Sequence, residues 1–203
     1  MACPTVQAID DSIKVDLYSG RPVITSALIP YLVKLAIKTN QHNGRSMYGL
    51  IQRVSSASVT IEHQVQGQIG QGILLLLGIE KTDSKETADK LLHKVLNYRI
   101  FADSNDKMNL SLQDIGGGLL VVSQFTLAAE TNRGLRPSFS CAAAPTQAQS
   151  LYDYFLTQAK AQHSSVEHGT FAANMQVSLC NDGPVTFNLR VLVKVLMRST
   201  NRP

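Results

Sequence analysis

A chain of 203 residues with 44% hydrophobic and 17% charged positions has apolar material for one globular core plus extra segments, which excludes a wholly disordered protein. The formal charge of +4 admits a polyanionic partner without requiring one. Cys3, Cys141 and Cys180 are odd in number and widely spaced, with no C-x-x-C pair, which argues against a disulfide framework and a zinc knuckle and fits a reducing cytoplasm.

Residues 1–46 carry scattered apolar positions, Pro4, Pro22 and Pro30, and one short patch at 31–37 suited to a helical turn or two. Asp10, Asp11 and Asp16 argue against a secretory leader. This segment is read as an N-terminal extension, either an appended tail or the product of a start assigned ahead of Met47, and no function is placed on it. No apolar run approaches the length of a bilayer span; the longest clean one, residues 73–77, is strand-sized.

From Met47 the pattern becomes dense. Residues 48–54, 58–62, 65–69 and 73–79 are short β-branched runs separated by Ser, Gly and Gln, the pattern of an antiparallel meander. Asp83, with Glu86 three residues on, reads as a capping box, and Ala88, Leu91, Leu92 and Val95 recur at helical spacing as far as Tyr98. A polar loop at 103–107 leads through 108–112 to Gly116, Gly117 and Gly118, read as a hairpin turn, and then to a buried strand at 119–124. Residues 128–145, with Arg133, Gly134, Arg136 and Pro137, read as an ordered loop, and 146–161 as a second helix with Leu151, Tyr154 and Phe155 on its inner face. Two strands, 174–179 and 185–193, follow, joined by the turn Asn181-Asp182-Gly183-Pro184. The class is therefore α+β, with a mostly antiparallel sheet and two or three helices over residues 47–193, and a basic C-terminal tail at 194–203.

The usual catalytic engines are missing. His42, His63, His93, His163 and His168 stand in no recognisable relation to a nucleophile and read as surface residues. The chain has no H-E-x-x-H, G-x-S-x-G or P-loop, and no G-x-G-x-x-G that leads from strand into helix. The triple glycine precedes a strand, so no helix N-terminus is available there to hold an anion. Two neutral packets remain: Ser123-Gln124-Phe125-Thr126-Leu127 at a strand end, and Asn181-Asp182-Gly183-Pro184-Val185-Thr186 at a strand-to-strand turn. Taken singly, each is composed of ordinary turn residues.

The blocks "LIQRV" at 50–54, "RIF" at 99–101, "KMNLSL" at 107–112, "VVSQFTL" at 121–127, "RPSFS" at 136–140 and "MQVSLCNDGPVTF" at 175–187 resemble, in order and spacing, the bacterial and eukaryotic D-aminoacyl-tRNA deacylases. The resemblance runs from Met47 to about Val191 and implies that family's barrel-like fold. The family normally begins at the position of Met47, and the basic stretch Arg190, Lys194, Arg198 and Arg202 runs past its usual close.

The resemblance implies hydrolysis of the ester joining a D-amino acid to tRNA, with no cofactor and no metal. An aminoacyl ester is already activated, so a positioned water and a stabilised oxyanion suffice. The backbone N–H groups of Phe125 and Thr126 are the candidates for that stabilisation, with Ser123 and Gln124 shaping the pocket; Thr126 as nucleophile is the competing possibility, although no neighbouring base activates it. The tRNA 2′-hydroxyl would assist. By the same resemblance Gly183 and Pro184 form a cis peptide that enters the partner subunit's site in an obligatory homodimer and rejects L-residues; glycyl-tRNA would then also be cleaved. Val185 and Thr186 support that motif. Arg53 and Met175 either brace it or are an ordinary surface arginine and core methionine. Lys107, Arg133 and Arg136, and less directly Arg99, are candidates for tRNA phosphate contacts. No DNA or membrane partner is expected. The alternative is a non-catalytic module that holds the tRNA acceptor end.

Overall fold

The computed structural model describes residues 46–132 and 134–192. The N-terminal extension up to residue 45, its helical patch, Arg133 and the basic C-terminal tail lie outside these residues.

Strand β1 (Ser46–Ile61) organises the molecule. Along one edge it pairs antiparallel with β8 (Gln176–Leu192) from Ser46↔Leu192 to Thr60↔Gln176. Its other edge is shared: residues 48–54 pair with β3 (Gly72–Gly78) and residues 57–61 with β2 (Gln64–Ile69), both antiparallel. The expected meander is present in these three strands, with the two expected runs at 48–54 and 58–62 merged into one.

The next strand departs from that pattern. After β3 the chain passes through helix α1 (Lys85–Leu96), the short strands β4 (Phe101–Ala102) and β5 (Met108–Leu110), and helix α2 (Leu112–Ile115) before β6 (Gly118–Ser123). This long excursion brings it back to the same end of the sheet, so β6 pairs with β3 in parallel, Gly72↔Gly118 to Leu77↔Ser123. Helix α3 (Pro145–Gln162) makes a second crossover, and β7 (Val166–His168) joins β6 in parallel. The sheet is thus mixed, in the order β2-β1-β3-β6-β7 with β8 on β1, while β4 and β5 form a separate small ribbon. A Cβ at Gly67 would lie 3.2 Å from the backbone of His168, so β2 at one end of that order comes up against β7 at the other. The result is a nearly closed, barrel-shaped sheet with three helices among the described residues.

The sheet is buried on both faces, which explains the continuous apolar runs in β3 and β6. Ile73, Leu75 and Leu77, with Leu119 and Val121, face α1 and α3 and pack with Leu91, Leu92, Val95 and Phe155. The alternate residues Leu74, Leu120 and Val122 face the inside of the curl with Val54, Val59 and Ile69. Each fully buried aliphatic side chain contributes about 1.5–3 kcal/mol, so the two clusters together outweigh any single polar contact.

Three local readings are corrected and one is extended. Helix α1 is capped by Ser84, not Asp83: Ser84 Oγ accepts from Thr87 N–H, and Thr87 Oγ1 accepts from Ser84 N–H at 2.9 Å. The triple glycine is not a hairpin turn. Ser111 and Asp114 form a capping box for α2, Gly116 ends that helix in the left-handed region at φ 58°, and Gly118 opens β6. In α3, Leu151 and Phe155 are buried and Tyr154 packs half-buried against the same cluster, as expected, while donating to Asp89; Tyr152 is fully buried as well, its hydroxyl within hydrogen-bond distance of the carbonyls of Val121 and Gly169. His163 is buried, not on the surface, and its Nε2 lies 2.6 Å from Gly117 O at the start of β6.

Asp83 does different work from capping. Its Oδ2 accepts from Glu80 N–H at 2.7 Å, closing the turn between β3 and α1, and the residue is 6% exposed. Burial pushes its pKa up from 3.8 to about 6, against the opposing hydrogen bond from Glu80. A raised carboxyl pKa means that the folded state holds the proton more tightly than the unfolded state. Its contribution is full below about pH 4 and is lost as pH rises through about 6. Asp83→Asn retains the acceptor and removes the titration. The variant is expected to gain on wild type by on the order of 2 kcal/mol between pH 4 and 7, read from paired denaturant midpoints; identical pH profiles would contradict the assignment.

Candidate active site

β6 ends at Ser123, and the chain turns at once into a 3-10 turn, Phe125–Ala128. Gln124 N–H donates to Leu77 O at 2.8 Å, which ties the end of β6 to β3. The first bond within the turn is from Leu127 N–H to Gln124 O, so the N–H groups of Phe125 and Thr126 precede it and make no bond inside the turn. Gln124 Nε2 donates to Thr126 Oγ1 at 2.6 Å, holding the two side chains together at the surface.

A cavity of about 550 Å³ opens against this segment. Ser123, Gln124 and Phe125 line one side, and Phe171, Asn174 and Met175, from the loop after β7, another; Ala143, Pro145 and Ala148 at the start of α3 complete it. Its size suits a ligand of small-molecule dimensions. Among the described residues no Asp, Glu, His, Cys, Lys or Arg contributes to the lining; the polar groups that do are amide, hydroxyl and backbone groups. Thr126 is not part of the lining. Among the described residues no group of three or more His, Cys, Asp or Glu side chains is placed to hold a metal ion.

The second packet is not a hairpin turn. Both flanks of it pair with β1 in the same direction, Val54↔Asn181 before and Gln52↔Thr186 after, so the chain does not reverse. Residues 182–185 instead bulge out of β8 opposite Arg53, with Gly183 and Pro184 exposed at the tip and joined by a cis peptide bond. Asn181 closes the bulge at its base: its Oδ1 accepts from Val185 N–H at 2.8 Å and its Nδ2 donates to Thr186 Oγ1 at 3.1 Å. The buried Gln52 donates to the same hydroxyl at 3.3 Å. Arg53 holds the tip from the side. Its Nε is 3.1 Å from both the backbone carbonyl and a carboxylate oxygen of Asp182, and its Nη1 donates to Ile100 O at 2.6 Å.

Within one chain the two packets are therefore separate: neither Gly183 nor Pro184 lines the cavity that Ser123, Gln124 and Phe125 help to form. Arg53 stands beside the bulge, and Val185 and Thr186 form its closing side. Met175 belongs to the cavity, where its sulfur packs over Gly169, not to the bulge of its own chain. Lys107 lies in the exposed turn between β4 and β5, Arg99 is exposed and donates to Asn109 O, and Arg136 is exposed on the loop before α3. Asn181, Gln52 and the loop residues Phe171 and Asn174 were not singled out from the sequence as individual site residues. An Asn two positions before a Gly-Pro pair is a turn-forming signal that pointed to the first of them.

A family model described as D-Tyr-tRNA(Tyr) deacylase matches residues 50–190. The D-aminoacyl-tRNA deacylase of Pseudoalteromonas translucida (strain TAC 125) is 69% identical over 145 residues, covering 71% of this chain and all of that protein. The protein of the same name from Cellvibrio japonicus (strain Ueda107) is 63% identical over 145 residues, covering 71% of this chain and 99% of the relative. Among solved structures, that of a c-Myc DNA Unwinding Element Binding Protein superposes with a TM-score of 0.69 at 37% identity, covering 72% of this chain and 99% of that one. The structure of a probable eukaryotic D-amino acid tRNA deacylase has the same fold, with a TM-score of 0.65 at 15% identity, covering 72% of this chain and 100% of that one. With its family match spanning well over half its length and relatives matched along their full length, the chain belongs to the D-Tyr-tRNA(Tyr) deacylase family.

Proposed function

We propose that this protein hydrolyses the ester bond of D-aminoacyl-tRNA in the cytoplasm, releasing tRNA and the free D-amino acid, and that it also accepts glycyl-tRNA. The observation that carries this reading is a cavity with no titratable side chain among the described residues, set against a turn whose first N–H groups have no bond within it. Such a site can stabilise an oxyanion on an ester that is already activated, and it needs neither cofactor nor catalytic acid. The N–H groups of Phe125 and Thr126 supply that stabilisation, Ser123 and Gln124 shape the pocket, and the 2′-hydroxyl of the terminal ribose assists the attacking water.

The protein acts as a homodimer. The Gly183–Pro184 tip points out of its own chain and reaches the partner's cavity, where its backbone oxygens hold the α-amino group and leave no space for a side chain on the L side. What supports this is the exposure of the tip and the bracing of its base by Arg53, Asn181 and Gln52. Glycine, with no side chain to reject, passes the filter. Lys107, Arg99 and Arg136 contact the tRNA backbone, where contacts carry affinity and not sequence choice.

The deciding experiment compares D-tyrosyl-tRNA with L-tyrosyl-tRNA as substrates of the wild-type protein. Rapid loss of the D-ester alone is the expected result, and cleavage of neither by folded dimer returns the chain to a non-catalytic binder of nucleic acid. A DNA-binding role, which the name of one structural relative carries, predicts instead retention of duplex DNA at a salt concentration where tRNA is released. Thr126→Ala separates donor from nucleophile: it leaves the backbone N–H in place, so turnover within about tenfold of wild type is expected, whereas abolished single-turnover cleavage with intact binding would make the hydroxyl the nucleophile.

A further inference from the structure

We propose that Phe125 and Phe139 form a stacking platform for the unpaired nucleobase that precedes the terminal adenosine of the tRNA, an inference that rests on the deacylase reading above. Phe125 is 62% exposed and Phe139 39% exposed, with ring centroids 4.9 Å apart and planes tilted by 50°. Phenylalanine is ordinarily among the most buried residue types, so two of them touching on an open surface mark a place where something else covers them.

The place is specific. Phe125 forms part of the cavity wall, whereas Phe139 is not part of it and leans on Phe125 from outside, so the pair continues the cavity mouth onto the surface. Phe139 is held in position by its backbone: Ser138 exchanges hydrogen bonds of 2.7 and 3.0 Å with Glu130, and Ala142 N–H donates to Phe139 O at 3.1 Å. A cavity of about 550 Å³ with a neutral, largely apolar wall accommodates one aminoacyl nucleoside and offers nothing to a phosphate. The strand must therefore leave across the rim, keeping its phosphates toward solvent and toward the exposed Arg136 of the same loop. An unpaired base at that point presents a bare π-face, and an aromatic pair is the surface that single-stranded nucleic acid uses without regard to base identity. The aromatic pair, with the exposed Arg136 on the same loop, is what singles out a nucleic-acid strand over an apolar peptide.

The test uses a tRNA acceptor minihelix whose single-stranded 3′ end carries 2-aminopurine next to the terminal adenosine. Wild-type protein is expected to quench the probe on binding. Phe139→Leu keeps the apolar bulk and removes the ring; it should lose the quench and bind about tenfold more weakly, whereas Phe139→Tyr retains both. In cleavage assays Phe139→Leu should raise KM for D-aminoacyl-tRNA about tenfold with kcat unchanged, and leave hydrolysis of the isolated D-aminoacyl-adenosine at the wild-type rate. Equal loss on the two substrates, or no loss on either, overturns the platform. So does a fall of Phe139→Leu to a smaller species in sedimentation, which would assign the aromatic pair to the contact with a second copy of the chain. The binding signal does not depend on cleavage, so quenching by a protein that cleaves nothing would leave the platform standing and remove the deacylase reading instead.

Discussion

Gly183→Ala is expected to lower kcat/KM for D-aminoacyl-tRNA by at least about 10² while lowering the thermal midpoint of the protein only modestly. Gly183 adopts φ 131°, a backbone conformation that residues with a Cβ rarely take. An added Cβ would lie 2.6 Å from a Val185 methyl, 3.0 Å from Val185 N and 3.1 Å from Arg53 Nη2. The tip must then shift, and displacement of a positioning group by about 1 Å is enough to cost about 10² in rate. Gly183 itself is exposed, but Val185 packs against the larger apolar cluster, so part of the strain is passed to the fold and a modest loss of stability accompanies the loss of rate. The paired measurement is single-turnover cleavage of D- and L-esters alongside a melting curve. A variant that keeps both its rate and its D-over-L preference would detach the bulge from catalysis; one that melts far below wild type would make Gly183 a structural residue.

The second large effect lies in the sheet. Gly72 opens β3 opposite Gly118, the first residue of β6, and a Cβ at Gly72 would stand 1.9 Å from Gly118 O and 2.7 Å from its backbone C and N. These are backbone atoms in paired strands, with no side chain that could rotate aside. Gly72→Ala must push β3 and β6 apart where the parallel pairing begins, and overpacking costs about 1–3 kcal/mol, with a backbone-to-backbone clash at the upper end of that range. Against a total stability of about 5–15 kcal/mol, that is enough to shift the urea midpoint by a molar unit or more, or to leave the protein insoluble. A wild-type midpoint for Gly72→Ala would show that the strands can separate there at no cost.

The second glycine of that pair also shows where sequence reading stopped short. Three consecutive glycines before an apolar run read as a turn between adjacent strands, and the local chemistry permits that. What the run does instead is end a helix at Gly116 and let β6 slide against Gly72, a relation between residues 46 positions apart in the chain that no window contains. The short helix before it was within reach, since Ser111 and Asp114 carry the capping spacing. The parallel pairing of β6 was not, because an apolar strand reads alike in either direction; only the helical excursion between β3 and β6 decides it.

At the site, the strand-end packet at 123–126 was legible because amides and hydroxyls that follow a fully apolar strand interrupt its pattern. The bulge at 182–185 was legible as an irregularity but not as a protrusion, since Asn181-Asp182-Gly183-Pro184 has the composition of a reversal. Only its register on β1, with four residues opposite Arg53, separates the two. The far wall of the cavity, with Phe171 and Asn174, gave no local signal, because its residues become a surface only when α3 and β7 place them against β6.

The pairing of β1 with β8 also sets an order of events during synthesis. The first strand of the domain meets the last along nearly its whole length, and the base of the bulge closes only when Thr186 reaches Gln52, 134 residues earlier. No partial chain emerging from the ribosome can hold the tip in place, however well α1, α3 and the β3–β6 pair have packed. Contacts of such long sequence separation are the slowest to form, and until they do, one full edge of β1 stays open to pairing with a neighbouring chain. A cell that depends on this domain thus has a reason to shield its nascent form, and a truncation that stops short of Thr186 would leave a collapsed, strand-edged intermediate in place of a slightly weakened protein.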